Sequence, residues 1–461
     1  FAYDCNVSHR DKGETYAYDN TTGNQTSKTE WGEVSGADYG SFTDTGSDLR
    51  TTTFTYATGS SVGVLGALSQ ETVTNQSSVK VKESKTSYDN LAFGTVGKGN
   101  ATKQESWKTG TSYVNTTKTY DTYGNVIQAT DPLSKITSYA YDAYHLFPAT
   151  ITNALGHATS YVYNYGIGKA KQITDANGYV SQVVYDGHGR VLQELQSDFT
   201  IPSTLVVKTL YTYTDTPLAV STQKTNYLDG VTTSSSYQYT DGFGRTIQTR
   251  TQTENAGVYA VKDVVYNNRG LAEKESLPYF LNDVMRTPPT GDTILYSTYG
   301  YDALGRVVST TNVVGVTTST YDNWGVTIID PNGNKKDFLS DVYGNLVSIV
   351  EYNGGAGQTT SYTYDLLSNL TKVSDATGNV RNFTYDGLGR RLTAEDLHSP
   401  SDATFGALTY SYNDAGNLIQ KTDANSKVVN YTYDDINRQI TENYLGQTGT
   451  EVSYTYDTCT N

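Results

Sequence analysis

One short phrase recurs through most of this chain and constrains its fold more than any other feature. It reads aromatic, any residue, Tyr, Asp or Asn, two variable residues, then Gly followed by Asn or Arg. The clearest copies have their tyrosine and glycine at Tyr120 and Gly124, Tyr185 and Gly189, Tyr301 and Gly305, Tyr385 and Gly389, and Tyr412 and Gly416, with weaker copies that include Tyr364 and Tyr433. Self-similarity at a fixed period of roughly 20 to 50 residues is typical of stacked architectures. We therefore predict a repeat protein in which these residues are structural.

A second phrase lies about half a period after the first. It is clearest at Asp175 to Gly178, Asp330 to Gly333 and Asp375 to Gly378. Each repeat therefore contains two turns, and each half leaves room for one strand of roughly six to seven residues plus a short connection. A helix of ordinary length does not fit.

The segments between the turns alternate as half-buried strands do. In Tyr362-Thr-Tyr364 and Tyr431-Thr-Tyr433 the rings lie two residues apart, so they point to one face of a strand. Asp and Asn bond their own backbone in turns, and Gly accepts the positive φ that hairpin loops require. With no helical periodicity to cover a sheet of on the order of 40 strands, the sheet must curl. We predict an all-β fold of antiparallel hairpin repeats that form one strongly curved, spiralling sheet.

The regularity of the phrase divides the chain. Residues 1–119 carry it loosely, and we predict irregular β repeats there. Residues 120–461 carry it regularly, with loop insertions near 192–237 and 271–299. The second insertion contains Pro278, Pro288 and Pro289, which resist pairing in a central strand and indicate a surface loop.

Composition limits what the sheet can bury and what it can bind. Hydrophobic residues make up only 36% of the chain and tyrosine supplies 41 positions, so the buried layer must consist largely of tyrosine rings. A net charge of -15 argues against a nucleic-acid partner. No apolar stretch approaches the roughly 18 residues that would span a bilayer.

Three local matches to functional motifs are better explained as turns, and we predict no cofactor, metal or catalytic residue. Gly59-Ser-Ser61-Val-Gly63 has the spacing of a nucleophile elbow but no helix follows. Asp330, Asn332 and Asn334 alternate like calcium ligands without the later Gly and Glu. Gly97-Lys98-Gly99 is an incomplete phosphate loop.

The remaining candidates are scattered single residues. The histidines at 9, 145, 157, 188 and 398 lack a second ligand at workable spacing, and we expect those in turns to be solvated. Cys5 and Cys459 are expected to be isolated thiols. The turn arginines could contact a ligand or stack on tyrosines, but pairing with a nearby Asp is favoured; they are Arg190, Arg245, Arg306, Arg390 and Arg438.

These residues resemble a known family. Tyr-Asp-x-x-Gly-Arg at 301–306 and 385–390, alternating with Asp-x-x-Gly-Asn at 375–379, is similar to the Rhs or YD-repeat family. The stretch 275–280 is similar to large bacterial Rhs proteins related to the B component of Tc toxins. The resemblance implies a spiralling β-sheet cocoon around a C-terminal toxic domain; teneurins use a similar shell for adhesion. The family's self-cleavage segment and variable toxin have no counterpart in these residues.

The resemblance implies a non-enzymatic structural shell segment of a large bacterial protein, secreted or delivered to the cell surface, that encloses or carries a toxic effector. Its partners would be the remainder of the same polypeptide and an encapsulated toxin domain, with self-assembly left open. The alternative is a surface adhesin or filament-forming repeat scaffold, with carbohydrate as a conceivable ligand. Because the chain begins at Phe1 without a Met and stops within a further copy of the phrase, we expect an interior piece of a longer polypeptide.

Overall fold

A computed structural model describes residues 11–36, 41–59, 64, 66–198, 201, 204–216, 219–228, 232–284, 286, 294–446 and 450–457. These residues form strands and turns and no helix, as predicted. It follows that none of them belongs to an apolar helix long enough to cross a membrane. Several of the residues discussed above lie outside the described ranges: Phe1, Cys5, His9, Ser61, Gly63, Pro288, Pro289 and Cys459.

Strands follow one another along the whole described chain, close to the number expected from the turn spacing. The first half contains β1 (Asp11–Tyr18), β2 (Gln25–Gly36), β3 (Phe42–Asp44), β4 (Arg50–Tyr56), β5 (Thr58–Gly59), β6 (Leu68–Asn75), β7 (Lys80–Tyr88), β8 (Thr95–Val96), β9 (Ala101–Thr109), β10 (Ser112–Tyr120), β11 (Val126–Thr130), β12 (Ile136–Tyr141), β13 (Pro148–Thr152), β14 (Ala158–Asn164), β15 (Lys169–Thr174), β16 (Val180–Tyr185), β17 (Val191–Ser197), β18 (Leu205–Thr216), β19 (Ala219–Tyr227) and β20 (Thr233–Thr240). The second half contains β21 (Thr246–Gln252), β22 (Tyr259–Tyr266), β23 (Ala272–Ser276), β24 (Tyr279–Leu281), β25 (Tyr296–Tyr301), β26 (Val307–Asn312), β27 (Gly315–Asp322), β28 (Gly325–Ile329), β29 (Lys335–Ser340), β30 (Leu346–Asn353), β31 (Ala356–Tyr364), β32 (Leu370–Ser374), β33 (Val380–Tyr385), β34 (Arg391–Glu395), β35 (Ala407–Tyr412), β36 (Leu418–Thr422), β37 (Val428–Tyr433), β38 (Gln439–Tyr444) and β39 (Val452–Ser453).

Thirty-seven of these strands form one antiparallel sheet, and the short β5 and β8 pair in parallel beside it. Neighbours in sequence are neighbours in the sheet: from β9 to β22 each strand pairs with the next. The same order continues from β25 to β39. The predicted meander of hairpins is therefore confirmed.

The sheet forks at β2, which pairs with both β3 and β4 beside β1, and again at β22. The first residues of β22 pair with both β21 and β24, whereas its last residues pair with β23. The short β24 follows Pro278 and, among the described strands, pairs only with β22. The sheet continues through β23, whose other neighbour is β25. Within the other predicted insertion, near 192–237, the described residues include the long strands β18 and β19, of 12 and 9 residues.

The sheet winds back on itself, although β1 and β39 do not pair and it stays open. Arg50, at the start of β4, donates a hydrogen bond of 2.7 Å to the carbonyl of Leu366, which is 316 residues away. Strands in a sheet lie ~4.8 Å apart, so roughly 25 intervening strands would separate these residues by about 120 Å if the sheet were flat. Contact between them requires a full winding. The predicted curved, spiralling sheet is confirmed.

The sheet has one layer, and this corrects the expectation of a buried tyrosine core. The accessible surface is 27190 Å², whereas a compact monomer of this mass exposes about 17,000 Å². Among the described tyrosines only Tyr239 is fully buried; Tyr364 and Tyr385 are half-buried. The alternation of rings was predicted, but the described residues provide no second layer over the face on which the rings lie.

Candidate functional site: the turn unit and the seam between windings

The repeat phrase builds one local unit, which is well seen at Asp386. Its Oδ1 accepts hydrogen bonds of 3.0 Å from the backbone amides of both Leu388 and Arg390. Gly389 adopts a φ of 75°, in the left-handed region that favours glycine, and donates its amide to the carbonyl of Asp386. Arg390 Nε donates to Asp386 Oδ2 at 2.7 Å. The carboxylate therefore organises the whole turn.

The same bonds recur at most turns of both phrases. In several turns an Asn takes the place of the Arg, four residues after the turn Asp, and its Nδ2 donates a hydrogen bond to the carboxylate. The Arg forms are Arg190, Arg245, Arg306 and Arg438, and the Asn forms are Asn125, Asn334, Asn345, Asn369 and Asn379. Glycines Gly124, Gly189, Gly305 and Gly416 also have positive φ. The phrase thus encodes a closed polar turn.

At some turns these bonds lower the pKa of the carboxylate, as at Asp186 and Asp330. The hydrogen bond from Arg190, with further bonds from backbone amides, lowers the pKa of Asp186 to about 2. At Asp330, one of the alternating oxygen residues, Oδ1 accepts the amides of Asn332 and Asn334 and Oδ2 accepts Asn334 Nδ2. Its oxygens are engaged by the turn itself, which favours turn formation over calcium binding.

At twelve positions a tyrosine ties a hairpin to the preceding one. The hydroxyl of Tyr385 donates at 2.9 Å to the carbonyl of Leu370, the second residue after Ser368, whose φ is 64°. Eleven further tyrosines make this bond: Tyr56, Tyr88, Tyr120, Tyr163, Tyr185, Tyr213, Tyr266, Tyr301, Tyr321, Tyr433 and Tyr456. Each bond links one repeat to the next along the winding.

The turn arginines do two things at once. Arg306 binds Asp302 through Nε at 2.6 Å, and its guanidinium lies 4.4 Å from the ring centroid of Tyr321 in the next repeat. The other four stack in the same way: Arg190 on Tyr213, Arg245 on Tyr266, Arg390 on Tyr412 and Arg438 on Tyr456. The favoured Asp pairing and the alternative tyrosine stacking occur together.

The predicted repeat residues do not converge on one place. Tyr120, Tyr185, Tyr301, Tyr364, Tyr385, Tyr412 and Tyr433 each lie at a register shift of successive hairpins, and their glycines lie in successive turns. In the described residues no group of three or more His, Cys, Asp or Glu could hold a metal ion. The repeats form a lattice along the sheet and not a cleft.

The scattered candidates have local roles. His188 is exposed in its turn, as expected of a turn histidine. His398, which lies outside the repeat turns, is buried, and its ring stacks on Phe405 with the ring centroids 3.8 Å apart. His145 stacks on Tyr123 at 4.1 Å. The backbone amides of Gly97, Lys98 and Gly99 all donate to Asp89 Oδ2, which fills the place that a phosphate would take.

Turns alternate between the two ends of the strands, because the strands are antiparallel. We call the turns that follow the repeat tyrosines the tyrosine rim; they include 121–125, 142–147, 186–190, 241–245, 302–306, 341–345, 365–369, 386–390, 413–417 and 434–438. The turns between them form the opposite rim, which includes 109–112, 131–135, 153–157, 175–179, 330–334, 375–379 and 423–427.

A seam joins the opposite rim of the first winding to the tyrosine rim of the second. The Tyr343 hydroxyl donates at 2.8 Å to the carbonyl of Asp48, 295 residues away, and burial raises the pKa of Tyr343. The Gly387 amide donates at 2.7 Å to the carbonyl of Lys108. Two ion pairs follow along the seam, Lys108 with Asp414 at 2.9 Å and Lys135 with Asp435 at 2.5 Å. Beyond them, His157 Nε2 lies 3.7 Å from Asp457 Oδ2.

Sequence reasoning missed this seam. The sequence feature that could have indicated it is an apolar or aromatic residue two positions after the turn Asp on the tyrosine rim. Where the seam covers this position the side chain is half-buried, as at Tyr343, Leu367, Leu388 and Ile436. The partners lie between 279 residues apart, from Lys108 to Gly387, and 316 residues apart, from Arg50 to Leu366, so no local pattern reveals them. The first half of the seam includes a cavity of 330 Å³ lined by Trp107, Leu367 and Leu388.

Comparison with known proteins agrees with the repeat structure described above. The teneurin YD-shell family profile matches residues 324–461, where the turn unit is most regular. The resemblance to the Rhs/YD-repeat family is confirmed over these residues. Among curated proteins no sequence match is found.

Solved structures share the YD-repeat fold over nearly the whole chain. A crystal structure of TcdB2-TccC3-Cdc42 matches with a TM-score of 0.74 at 13% identity, over 95% of this chain and 33% of that one. TcdB2-TccC3-TEV gives 0.76 at 14% identity, over 96% and 32%. The Photorhabdus luminescens Tc holotoxin pore with the mutation TccC3-D651A gives 0.72 at 13%, over 96% and 32%. The chain thus spans about a third of each solved chain.

Proposed function

We propose that this YD-repeat chain is a non-enzymatic wall segment of a large bacterial protein, secreted or surface-delivered, and that its wound sheet encloses or carries a toxic effector. The observation that carries the proposal is the single wound layer, whose 27190 Å² of accessible surface far exceeds that of a compact globule of this mass. A one-layer wall leaves both faces free, so one face is available to line a space.

The polar chemistry of the chain supports a structural role. Turn carboxylates such as Asp386 accept three hydrogen bonds within their own turns, and turn arginines are held between a carboxylate and a ring. Groups engaged in this way hold the wall together and are poorly placed to transfer protons or bind substrate. The repeat tyrosines and glycines named above are proposed to be the structural residues of this wall.

The related structures supply the cargo part of the proposal. One of the matched structures is that of TcdB2-TccC3 without its hypervariable C-terminal region. By analogy of fold, we propose an effector domain of the same polypeptide as the cargo here.

Protease protection of the full-length polypeptide tests the enclosure. We expect native digestion to spare a fragment from outside residues 1–461, and to cleave it once the seam is opened by the double substitution Lys108→Glu and Lys135→Glu. Each substitution places a second carboxylate beside Asp414 or Asp435. Lys171→Glu, an exposed residue of β15, is the matched charge control.

Equal digestion of that fragment in the wild type and the seam variant would reject enclosure. If the intact protein instead sits on the cell surface or in filaments with no protected fragment, the surface scaffold is the better function.

A further inference from the structure

A cluster of buried polar side chains lies on one face of the sheet at its second fork. Gln248 and Arg250 on β21 are fully buried, and Asp263 on β22 is nearly so. In the strand register Tyr239 lies opposite Gln248, and Gln248 lies opposite Asp263, so these side chains share one face of the sheet. Charged groups are rarely buried unless partners satisfy them. The cluster must therefore have partners above the sheet.

A short segment of the chain crosses this face and covers the cluster. We call residues 279–284 the strap: β24 pairs with the start of β22, and the residues after β24 pass over β21 and β20. Arg250 Nη1 donates a hydrogen bond to the carbonyl of Asp283, and the Tyr239 hydroxyl donates one to the carbonyl of Val284. These two donors hold the strap by its backbone.

A third bond joins the strap to the carboxylate of the cluster. Gln248 links the two charges, since its Nε2 donates to Asp263 Oδ1 at 2.7 Å and its Oε1 accepts Arg250 Nε at 3.0 Å. The other oxygen of Asp263 accepts the hydroxyl of Tyr279 at 2.6 Å. Burial, together with this hydrogen bond, raises the pKa of Tyr279, so its hydroxyl stays protonated and donates.

Much of the strap's side-chain surface stays in contact with water. Phe280 is 66% exposed, and Asn282 and Val284 are exposed as well. The three bonds from the strap to the cluster therefore recognise two backbone carbonyls and one tyrosine hydroxyl. We propose that the cluster is a binding site for an extended, tyrosine-bearing peptide of a partner protein, and that the strap occupies this site in the absence of the partner. The proposal goes beyond the wall function and does not rest on it.

The strap is attached in a way that lets it leave the site. When it lifts, Arg250 and Asp263 exchange their bonds to the strap for bonds to water, and such an exchange has a small net cost. Segments held by few buried apolar contacts open locally, without unfolding of the whole protein. The opened face also uncovers Val261, which is fully buried, and the ring of Tyr239. This apolar surface favours refilling of the site by a peptide.

The chemistry of the site selects a peptide over an inorganic anion. An anion would accept hydrogen bonds from Arg250 and Tyr239, but it would leave the carboxylate of Asp263 without its hydroxyl donor. A tyrosine-bearing peptide supplies both the carbonyl acceptors and the hydroxyl. A peptide in the place of β24 would also pair with β22 through main-chain hydrogen bonds, as in strand addition.

Fluorescence anisotropy on the full-length polypeptide tests the inference, with a labelled synthetic peptide that has the sequence of residues 277–284 as the probe. The tethered strap competes at a high effective concentration, so the wild type should bind the probe weakly. Tyr279→Phe removes the strap's bond to Asp263 and leaves the site itself unchanged. We expect this variant to bind the probe on the order of tenfold more tightly than the wild type, the effect of one hydrogen bond to a charged group. Phe280→Ser, at an exposed side chain of the same strap, is the matched control and should bind like the wild type.

A second probe and a second measurement separate this site from adventitious binding. A peptide with Phe in place of its tyrosine should bind the Tyr279→Phe protein on the order of tenfold more weakly than the first probe does. In the wild type, the amides of β24 should exchange with solvent hydrogen roughly tenfold faster than those of β23, although both strands pair with β22. Equal affinity of the two probes, equal affinity of Tyr279→Phe and the wild type, or equal protection of β24 and β23 would each overturn the inference.

Discussion

The hydroxyl of Tyr385 lies 2.9 Å from the carbonyl oxygen of Leu370, 15 residues earlier in the chain, to which it donates a hydrogen bond. Leu370 begins the strand that leaves the preceding turn, so the bond fixes the spacing of two successive tyrosine-rim turns. The same bond is repeated in twelve hairpins. It gives the one-layer sheet regular cross-links, which contribute cohesion that a packed core would otherwise supply.

Removing that hydroxyl should weaken the sheet modestly. We expect Tyr385→Phe to lower the free energy of unfolding by about 1 kcal/mol, the usual net value of one hydrogen bond. Tyr123→Phe makes the same change at a ring that is 68% exposed and should have no measurable effect. Urea unfolding, with hydrogen exchange on β32 and β33 to localise the change, checks both. Equal stability of the two variants would show that the hydroxyl bonds do not hold the repeats together.

The turn carboxylates should make stability fall in acid. The pKa of Asp186 is lowered from 3.8 to about 2 in the folded chain, chiefly by Arg190. A lowered folded pKa gives stability that is present above 3.8 and is lost as the pH falls towards 2. Thermal unfolding of the wild type and Asp186→Asn from pH 6 to pH 2 measures this. We expect the wild type to lose its advantage over the variant as the pH falls through this window; an advantage unchanged at pH 2 would contradict the assignment.

Gly387 and Gly187 occupy the same position in their turns, so substituting each of them distinguishes an effect on the seam from an effect on the turn. A Cβ on Gly387 would lie 2.4 Å from the Trp107 ring and 2.8 Å from the Lys108 carbonyl, whereas one on Gly187 would meet nothing within 4 Å. Neither has a positive φ, so alanine fits either turn by itself. We expect Gly387→Ala to raise hydrogen exchange at 107–110 and 386–390 and Gly187→Ala to leave exchange unchanged. Identical exchange in both variants would mean that the rims are not in contact.

The sequence predicts the strands, the turns and their pairing more completely than it predicts how the sheet packs. Period-two rings such as Tyr362 and Tyr364, and the Asp and Gly of each turn, indicate strand, turn and antiparallel pairing because these are local properties of the chain. The half-burial of Tyr364 follows from the lack of a second layer, which no pattern within one repeat reveals. Likewise, the contact of Tyr343 with Asp48 depends on the number of strands in one winding. That number is set by small twists between neighbouring strands, added along the whole sheet.

Zero-length carbodiimide cross-linking tests the central claim, that the sheet winds so that rims 300 or so residues apart are in contact. In the monomer, mass spectrometry should identify amide links between Lys108 and Asp414 and between Lys135 and Asp435, whose charged atoms lie 2.9 Å and 2.5 Å apart. Lys103 and Glu105, 2.9 Å apart within β9, provide the local reference. Recovery of the long-range links at a yield near that of the reference is the predicted result; recovery of the local link alone would contradict the winding and the seam together.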